Sequence, residues 1–173
     1  MSPELSRGST LLVFQYGSNM DRARLNSSDR LDGAAELRGL AETIDGYDLV
    51  FNVWSSGQQC AVANLVKGPH TIYGVLYEIP DFRVLRTLKQ GPKTLDEIEG
   101  EGQTYEQTSI GVKFGGKRTE ALTYLGRQPS FTGCGTTNKY AHHIIKGLEE
   151  LDAPAPYVDY VKNCIAESLT RAN

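Results

Sequence analysis

The chain has 173 residues, a length typical of one domain, and its 39% of hydrophobic residues is typical of a folded globular protein. Eighteen basic and 21 acidic residues leave a net charge of −3 without a block of like charges, which argues against a nucleic-acid binder. Residues 11–14 form an apolar run too short for a membrane span, and three widely spaced cysteines suit a reducing compartment. We therefore expect a cytoplasmic protein that binds neither nucleic acid nor membrane, acts on a small molecule and could form a homodimer.

The first part of the chain predicts a strand followed by a glycine-containing loop. Residues 1–9 are mostly polar and predict a flexible N-terminus, followed by a single domain over residues 10–173. The apolar residues 11–14 predict a short buried strand, which ends at Tyr16-Gly17-Ser18-Asn19. Ser18 or Asn19 is expected to cap a helical turn over residues 20–25.

The middle of the chain predicts mostly strands. Residues 47–54, 60–66 and 72–79 are rich in β-branched and aromatic residues and are separated by Gly, Ser or Pro. Pro80-Asp81 then predicts the start of a helix over residues 82–89, with the apolar residues Phe82, Leu85 and Leu88 on one face. Residues 95–98 are expected to form one further helical turn before Gly100.

The last third predicts a hairpin and two helices. Residues 105–114 and 118–125 flank Gly115-Gly116, which is a strong turn signal. A loop over residues 129–138 precedes two amphipathic helices, over residues 139–151 and 156–171. About six strands, mostly consecutive, with the longer helices at the end of the chain indicate an α+β fold.

Two short motifs are candidates for chemistry. A glycine directly after a strand lets the backbone approach a ligand, and the amides that follow can bind an oxyanion. For Tyr16-Gly17-Ser18-Asn19 taken alone, a simple strand-to-helix connection is the favoured alternative. In the acidic turn Leu95-Asp96-Glu97-Ile98-Glu99-Gly100, the apolar residues are expected to face the core and to place Glu99 against an apolar wall. Such a carboxylate would have a raised pKa, as a general base requires, whereas a solvated acidic turn is the alternative.

Other reaction classes find little support in the sequence. Cys134 lies in a glycine-flanked loop without a basic neighbour, and adjacent His142 and His143 point in different directions on a helix. The sequence contains no GxSxG, P-loop or HExxH motif and no CxxC pair. Serine hydrolase, NTPase and zinc protease chemistry are therefore not indicated, and we expect no metal.

Taken together, the YGSN loop after the first strand and the LDxxEG turn in mid-chain resemble the γ-glutamylcyclotransferase superfamily. The resemblance extends through Gly102-Gln103-Thr104-Tyr105 to the late segment with Tyr140 and Pro156-Tyr157, so that it covers about residues 11–165. It implies a small mixed β-barrel with surrounding helices and a cavity between the YGSN loop and the acidic turn. It also implies that no cofactor is needed.

The resemblance implies that Glu99 is the catalytic residue that transfers protons, whereas Asp96 and Glu97 are structural. The residues that it implies for substrate binding are Phe14, Gln15, Tyr16, Gly17, Ser18, Asn19, Tyr105 and Tyr140. Gln15 departs from the family pattern, because many relatives carry a small residue there, and residues 131–138 look like a lengthened glycine-rich loop.

The implied reaction is the intramolecular attack of a γ-glutamyl α-amine on its own γ-carbonyl, which releases 5-oxoproline and a free amine. The YGSN form of the motif points to the branch that acts on γ-glutamyl amino acids, or to its biosynthetic relatives. Two alternatives are a tailoring enzyme that removes a γ-glutamyl protecting group from a natural-product intermediate and a binding module that has the fold without turnover.

Overall fold

Five strands of mixed direction close into a barrel in the computed structural model, which describes residues 9–127 and 135–171. The strands of the described residues are β1 (Thr10–Gln15), β2 (Glu36–Thr43), β3 (Tyr47–Ser55), β4 (Cys60–Lys67), β5 (Tyr73–Pro80), β6 (Tyr105–Phe114) and β7 (Lys117–Gly126). The barrel order is β1-β5-β2-β6-β7, and β3 pairs with β4 in a separate two-stranded sheet. Because β1 runs parallel to β7 while the other neighbours are antiparallel, the predicted mixed barrel is confirmed.

Helices surround the barrel, which confirms the predicted α+β class. Those of the described residues are α1 (Arg22–Leu25), α2 (Asp81–Val84), α3 (Leu95–Glu99), α4 (Asn138–Glu150) and α5 (Ala155–Leu169), with 3₁₀-helices at Ser18–Met20 and Arg86–Leu88. The two long helices are amphipathic, and α4 buries Ile144 and Leu148 while α5 buries Val161 and Ile165. None of the described helices is long and apolar enough to cross a membrane.

The strand that ends at the candidate loop lies deep in the core. In β1 the side chains of Val13 and Phe14 are fully buried, as are Val75 and Tyr77 on the paired strand β5. A Cβ atom on Gly74 would lie 2.6 Å from the Phe14 ring, so this glycine leaves the space that the ring occupies. The end of β1 is therefore fixed by packing and by strand pairing, and so is the position at which the following loop begins.

Three predictions about local structure are wrong. No strand was predicted between residues 26 and 46, yet β2 lies there and completes the barrel between β5 and β6. The predicted helix over residues 82–89 is interrupted at the extended residue Leu85, because the amide of Arg86 donates to the Asp96 carboxylate, and Leu88 is 46% exposed. The helical turn predicted over residues 20–25 is divided, since Asp21 rather than Ser18 or Asn19 caps α1.

Some predictions fall on residues outside the described part of the chain. Of the N-terminal segment over residues 1–9, only Ser9 is described, and its carbonyl accepts a hydrogen bond from the Asp81 amide. Residues 129–134 of the predicted loop, with Cys134, also lie outside the described residues. A single domain over residues 10–173 stays a prediction.

Candidate active site

The YGSN loop leaves β1 and turns immediately into the 3₁₀-helix Ser18–Met20. The buried Tyr77 hydroxyl donates a hydrogen bond to the carbonyl of Asn19, at 2.9 Å, and thereby ties the loop to β5. The amides at the start of such a helix have no acceptor within it. Such amides can donate to a neighbouring side chain or to a ligand, and the Ser18 amide donates to the Tyr140 hydroxyl.

A buried ionic cluster attaches the same loop to α4. The carboxylate of Asp21 lies 2.7 Å from His143 Nδ1 and accepts a hydrogen bond of 2.8 Å from Lys146 Nζ. Burial acts to raise the pKa of Asp21, but the hydrogen bonds from Lys146 and His143 outweigh it, so that the pKa is lowered. At Gly147 a Cβ atom would lie 2.5 Å from Met20, so only glycine lets the helix come this close.

Gly17 brings the loop close to the opposite wall of the site. A Cβ atom at this position would lie 3.3 Å from the Ala63 side chain and 3.4 Å from the Tyr140 hydroxyl. The hydroxyl in turn accepts a hydrogen bond of 3.1 Å from the Ala63 amide. The loop, β4 and α4 therefore meet around a narrow space.

The acidic turn forms α3, whose start and end are both well determined by the sequence. Thr94 and Glu97 form a capping box at its N-terminus, and Gly100 ends it in the left-handed conformation, with φ of 64°. The buried carboxylate of Asp96 accepts hydrogen bonds of 2.7 Å from the Tyr124 hydroxyl and 3.0 Å from the Gln107 amide. These contacts hold α3 against the barrel and thereby fix the position of Glu99, the last residue of α3.

Glu99 faces the YGSN loop and is held there by Asn19. Its Oε1 accepts a hydrogen bond of 2.7 Å from Asn19 Nδ2, and Asn19 Oδ1 accepts one of 2.7 Å from Arg30 Nη2. The amide of Asn19 is thus oriented by Arg30 and donates to the carboxylate. Burial raises the pKa of Glu99 above its usual value, against the opposing effects of Arg30 and of the Asn19 hydrogen bond. A carboxyl group of this kind is suited to accept and return a proton.

Gln15 presents an unsatisfied donor beside this carboxylate. The side chain is only 5% exposed, and its Nε2 atom is buried without a hydrogen-bond partner among the described residues. The amide is close enough to Glu99 to act to lower the pKa of Glu99, yet it makes no well-formed hydrogen bond to the carboxylate. A buried donor without an acceptor lowers the stability of a folded protein. A donor of this kind in the wall of a cavity therefore indicates a contact to a ligand.

Tyrosine side chains complete the walls. Burial raises the pKa of Tyr16, Tyr105 and Tyr140, that of Tyr140 to about 12, so their hydroxyls are protonated at neutral pH. Tyr16 donates to the carbonyl of Tyr124, and Tyr105 donates to that of Ala63. Because the hydroxyls of Tyr16 and Tyr105 donate to backbone carbonyls, the rings of these two residues have fixed positions in the walls of the cavity.

The site consists of a small inner cavity and a wider outer cleft that share several lining residues. The inner cavity has a volume of about 30 Å³ and is lined by Gln15, Tyr16, Gly17, Ser18, Asn19, Ala63, Glu99, Tyr105, Tyr124 and Tyr140. The outer cleft has a volume of about 370 Å³, and it adds Arg24, Arg30, Trp54 and the turn between β3 and β4 to its walls. The volume of the outer cleft is within the usual range for a small-molecule site, about 300–1,000 Å³.

The structure brings most of the predicted site residues together. The residues from Gln15 to Asn19 line the inner cavity with Glu99, Tyr105 and Tyr140. The exception is Phe14, whose ring packs at Gly74 in the core and does not line the cavity. Within residues 9–127 and 135–171, no group of three or more His, Cys, Asp or Glu side chains could hold a metal ion.

Sequence reasoning missed several side chains of the site, among them Ala63, Tyr124, Arg24, Arg30 and Trp54. Alternation along β4 and β7 could have assigned Ala63 and Tyr124 to one face of a strand, but not to a cavity. The two arginines follow the YGSN motif in a segment without hydrophobic periodicity, where charged residues usually indicate a solvated surface.

A family model described as "Gamma-glutamyl cyclotransferase, AIG2-like" matches residues 13–144 of this chain. The match includes the YGSN loop, the acidic turn and the first half of α4. The comparison with curated protein sequences gave no match.

Solved structures share the fold. A structure described as a γ-glutamyl cyclotransferase superimposes with a TM-score of 0.74 at 22% identity, over 89% of this chain and 87% of that one. An uncharacterized protein from Homo sapiens gives the same values. YkqA from Bacillus subtilis superimposes with a TM-score of 0.75 at 25% identity over 92% of this chain, which spans 55% of YkqA.

Proposed function

Because the chain belongs to the γ-glutamyl cyclotransferase, AIG2-like family, we propose that it is a γ-glutamyl cyclotransferase that releases 5-oxoproline from a γ-glutamyl amide. The observation that carries the proposal is the Glu99 carboxylate, which has a raised pKa and faces the YGSN loop across a small cavity. A positioned carboxyl group with a raised pKa can both accept and return a proton.

In the proposed reaction, the glutamyl α-amine attacks its own γ-carbonyl carbon. A carbon–nitrogen bond forms to close the five-membered ring, and the bond to the leaving nitrogen breaks. Glu99 takes a proton from the attacking amine and returns it to the leaving nitrogen, so that 5-oxoproline and a free amine result. Because both reacting groups belong to one molecule, orientation alone supplies an effective molarity of about 10⁵–10⁸ M. No covalent intermediate on the enzyme is needed.

The donors around the inner cavity suit the charge that develops on the γ-carbonyl oxygen. The unsatisfied Nε2 of Gln15 is available for it, and the backbone of the YGSN loop lines the same cavity. Donors that are already in place stabilise an oxyanion without reorganisation during the reaction.

The test is the release of 5-oxoproline, measured by mass spectrometry, from γ-glutamyl dipeptides, γ-glutamyl-ε-lysine and glutathione. We expect turnover of at least one of them and a loss of at least about 100-fold in kcat in Glu99→Gln. Glu106→Gln makes the same chemical change at an exposed position of β6 and is the matched control. Full activity of a folded Glu99→Gln variant would refute the mechanism.

A second candidate rests on the size of the outer cleft. At about 370 Å³, the cleft can hold a leaving group larger than an amino acid, such as a natural-product intermediate that carries a γ-glutamyl protecting group. Turnover of a bulky γ-glutamyl amine, with none of the dipeptides, would favour this candidate. Ligand binding without turnover of any substrate would instead favour a binding module.

A further inference from the structure

We propose that Arg24 and Arg30 form an anion subsite that binds the carboxylate of the leaving group. This inference rests on the proposed function and narrows its substrate class to γ-glutamyl amino acids and peptides with a free carboxylate in the leaving portion. Both arginines line the outer cleft, whereas the inner cavity with Glu99 and the YGSN loop is the place for the glutamyl portion.

The two arginines are half-buried and have no carboxylate partner among the described residues. The Nε atoms of both are buried and have no hydrogen-bond partner among the described residues. Neither guanidinium forms an ion pair with a carboxylate in residues 9–127 and 135–171. Partial burial of a cation without an anionic partner is unfavourable, so a cleft that holds two such guanidinium groups is suited to an anionic ligand.

The guanidinium group of Arg30 is held in a fixed orientation in the wall of the outer cleft. Its Nη2 donates to Asn19 Oδ1, and this bond holds the guanidinium plane in one orientation next to Glu99. Burial and the charge of Arg24 lower the pKa of Arg30, which indicates that the two cations lie close enough to repel each other. A bound carboxylate would relieve this repulsion, and guanidinium groups bind carboxylates through two parallel hydrogen bonds.

Nearby acidic groups offset the positive charge of the pair only in part, because Glu99 and Asp29 attract Arg30 without forming an ion pair with it among the described residues. Glu97 also lines the outer cleft, but its carboxylate forms an ion pair with Lys89 at 3.0 Å. Glu99 attracts Arg30, and in the proposed reaction it becomes protonated when it takes the proton of the α-amine. At that moment the arginines lose their negative neighbour, so a carboxylate on the leaving group would be most useful during the chemical step.

The experiment compares two substrates that differ only in the charge of the leaving group, γ-glutamyl-L-alanine and γ-glutamyl-L-alaninamide. We expect the wild-type protein to prefer the acid by at least about tenfold in kcat/KM, the usual effect of a charge-assisted hydrogen bond. In Arg24→Gln the preference is expected to fall below about threefold. Arg22→Gln removes the same charge from an exposed position of the same helix, and it should keep the preference.

Equal rates on the two substrates in the wild-type protein, or a preference that persists in a folded Arg24→Gln variant, would overturn the inference but leave the proposed function intact. If neither substrate yields 5-oxoproline, the proposed function fails on these substrates. The anion subsite is then tested by the binding affinity of the two compounds. Calorimetry on the wild-type protein should then give tighter binding of the acid, and weaker binding of it in Arg24→Gln. Equal affinity, or no binding of either compound, would overturn the inference.

Discussion

The hydrogen bond between Asn19 and Glu99 allows a quantitative prediction about pH dependence. The donor Nδ2 lies 2.7 Å from the carboxylate and stabilises its ionised form. A hydrogen bond to a charged group contributes about 1.5–3 kcal/mol, and one pKa unit corresponds to about 1.4 kcal/mol. Removing the donor in Asn19→Ala should therefore raise the pKa of Glu99 by about one to two units. Water that enters the enlarged cavity will offset part of the change, so we expect about one unit.

The consequence is measured in the pH profile of kcat/KM for 5-oxoproline release. A base must be ionised to act, so activity is lost as the pH falls through the pKa of Glu99, and this acid limb should move to higher pH in Asn19→Ala. Asn19→Asp should move it further, because a second carboxylate would repel the first. Asn163→Ala, at an exposed position of α5, is the control. An acid limb that stays in place in both Asn19 variants would refute the assignment of Glu99 as the base.

Two further predictions concern residues on either side of the loop. Gln15→Leu removes a buried unsatisfied amide, so we expect the free energy of unfolding to rise by about 1–2 kcal/mol while kcat/KM falls at least about tenfold; a variant that is both less stable and fully active would contradict this. Asp21→Asn removes a buried charge that Lys146 and His143 stabilise, and it should lower the free energy of unfolding at pH 7 by about 1–3 kcal/mol. Because the pKa of Asp21 is lowered by folding, this contribution is present above pH 3.8 and is lost as the pH falls through the folded pKa. Denaturant titrations at pH 7 and pH 3 should therefore show a smaller difference between wild type and variant at the lower pH, and an equal difference at both would contradict the assignment.

The parts of the fold that the sequence predicts are those with strong local patterns. Six of the seven strands in the described residues have apolar, β-branched or aromatic runs that make them visible in the sequence, and the hairpin β6–β7 has Gly115-Gly116 at its turn. Strand β2 has charged residues and Gly39 within it, so its β-propensity is low. It is a strand because β5 and β6 pair with it on both sides, and such pairing is a property of the whole fold.

In the candidate site, too, local sequence patterns predict some features, whereas others depend on residues far apart in the chain. The YGSN loop and Glu99 could be singled out because a glycine after a strand and a carboxylate before a helix-ending glycine are visible in short windows. The interaction of Asn19 with Glu99 joins residues 80 positions apart, so no local pattern shows it. The role of Phe14 could not be judged either, because alternation along a strand that is buried on both faces does not tell which side meets the cavity.

The contacts between Asp21 and α4 also determine when the site can be completed during synthesis. They join residues 122 and 125 positions apart, while the hairpin β6–β7 forms from neighbouring segments. Contacts between distant residues carry a larger entropic cost of loop closure and tend to form late in folding. The loop beside Glu99 can thus reach its final position only after residue 146 has been added to the chain, when the barrel strands have already been made. A nascent chain that ends after β7 has every strand of the barrel but lacks the helix that positions its cavity.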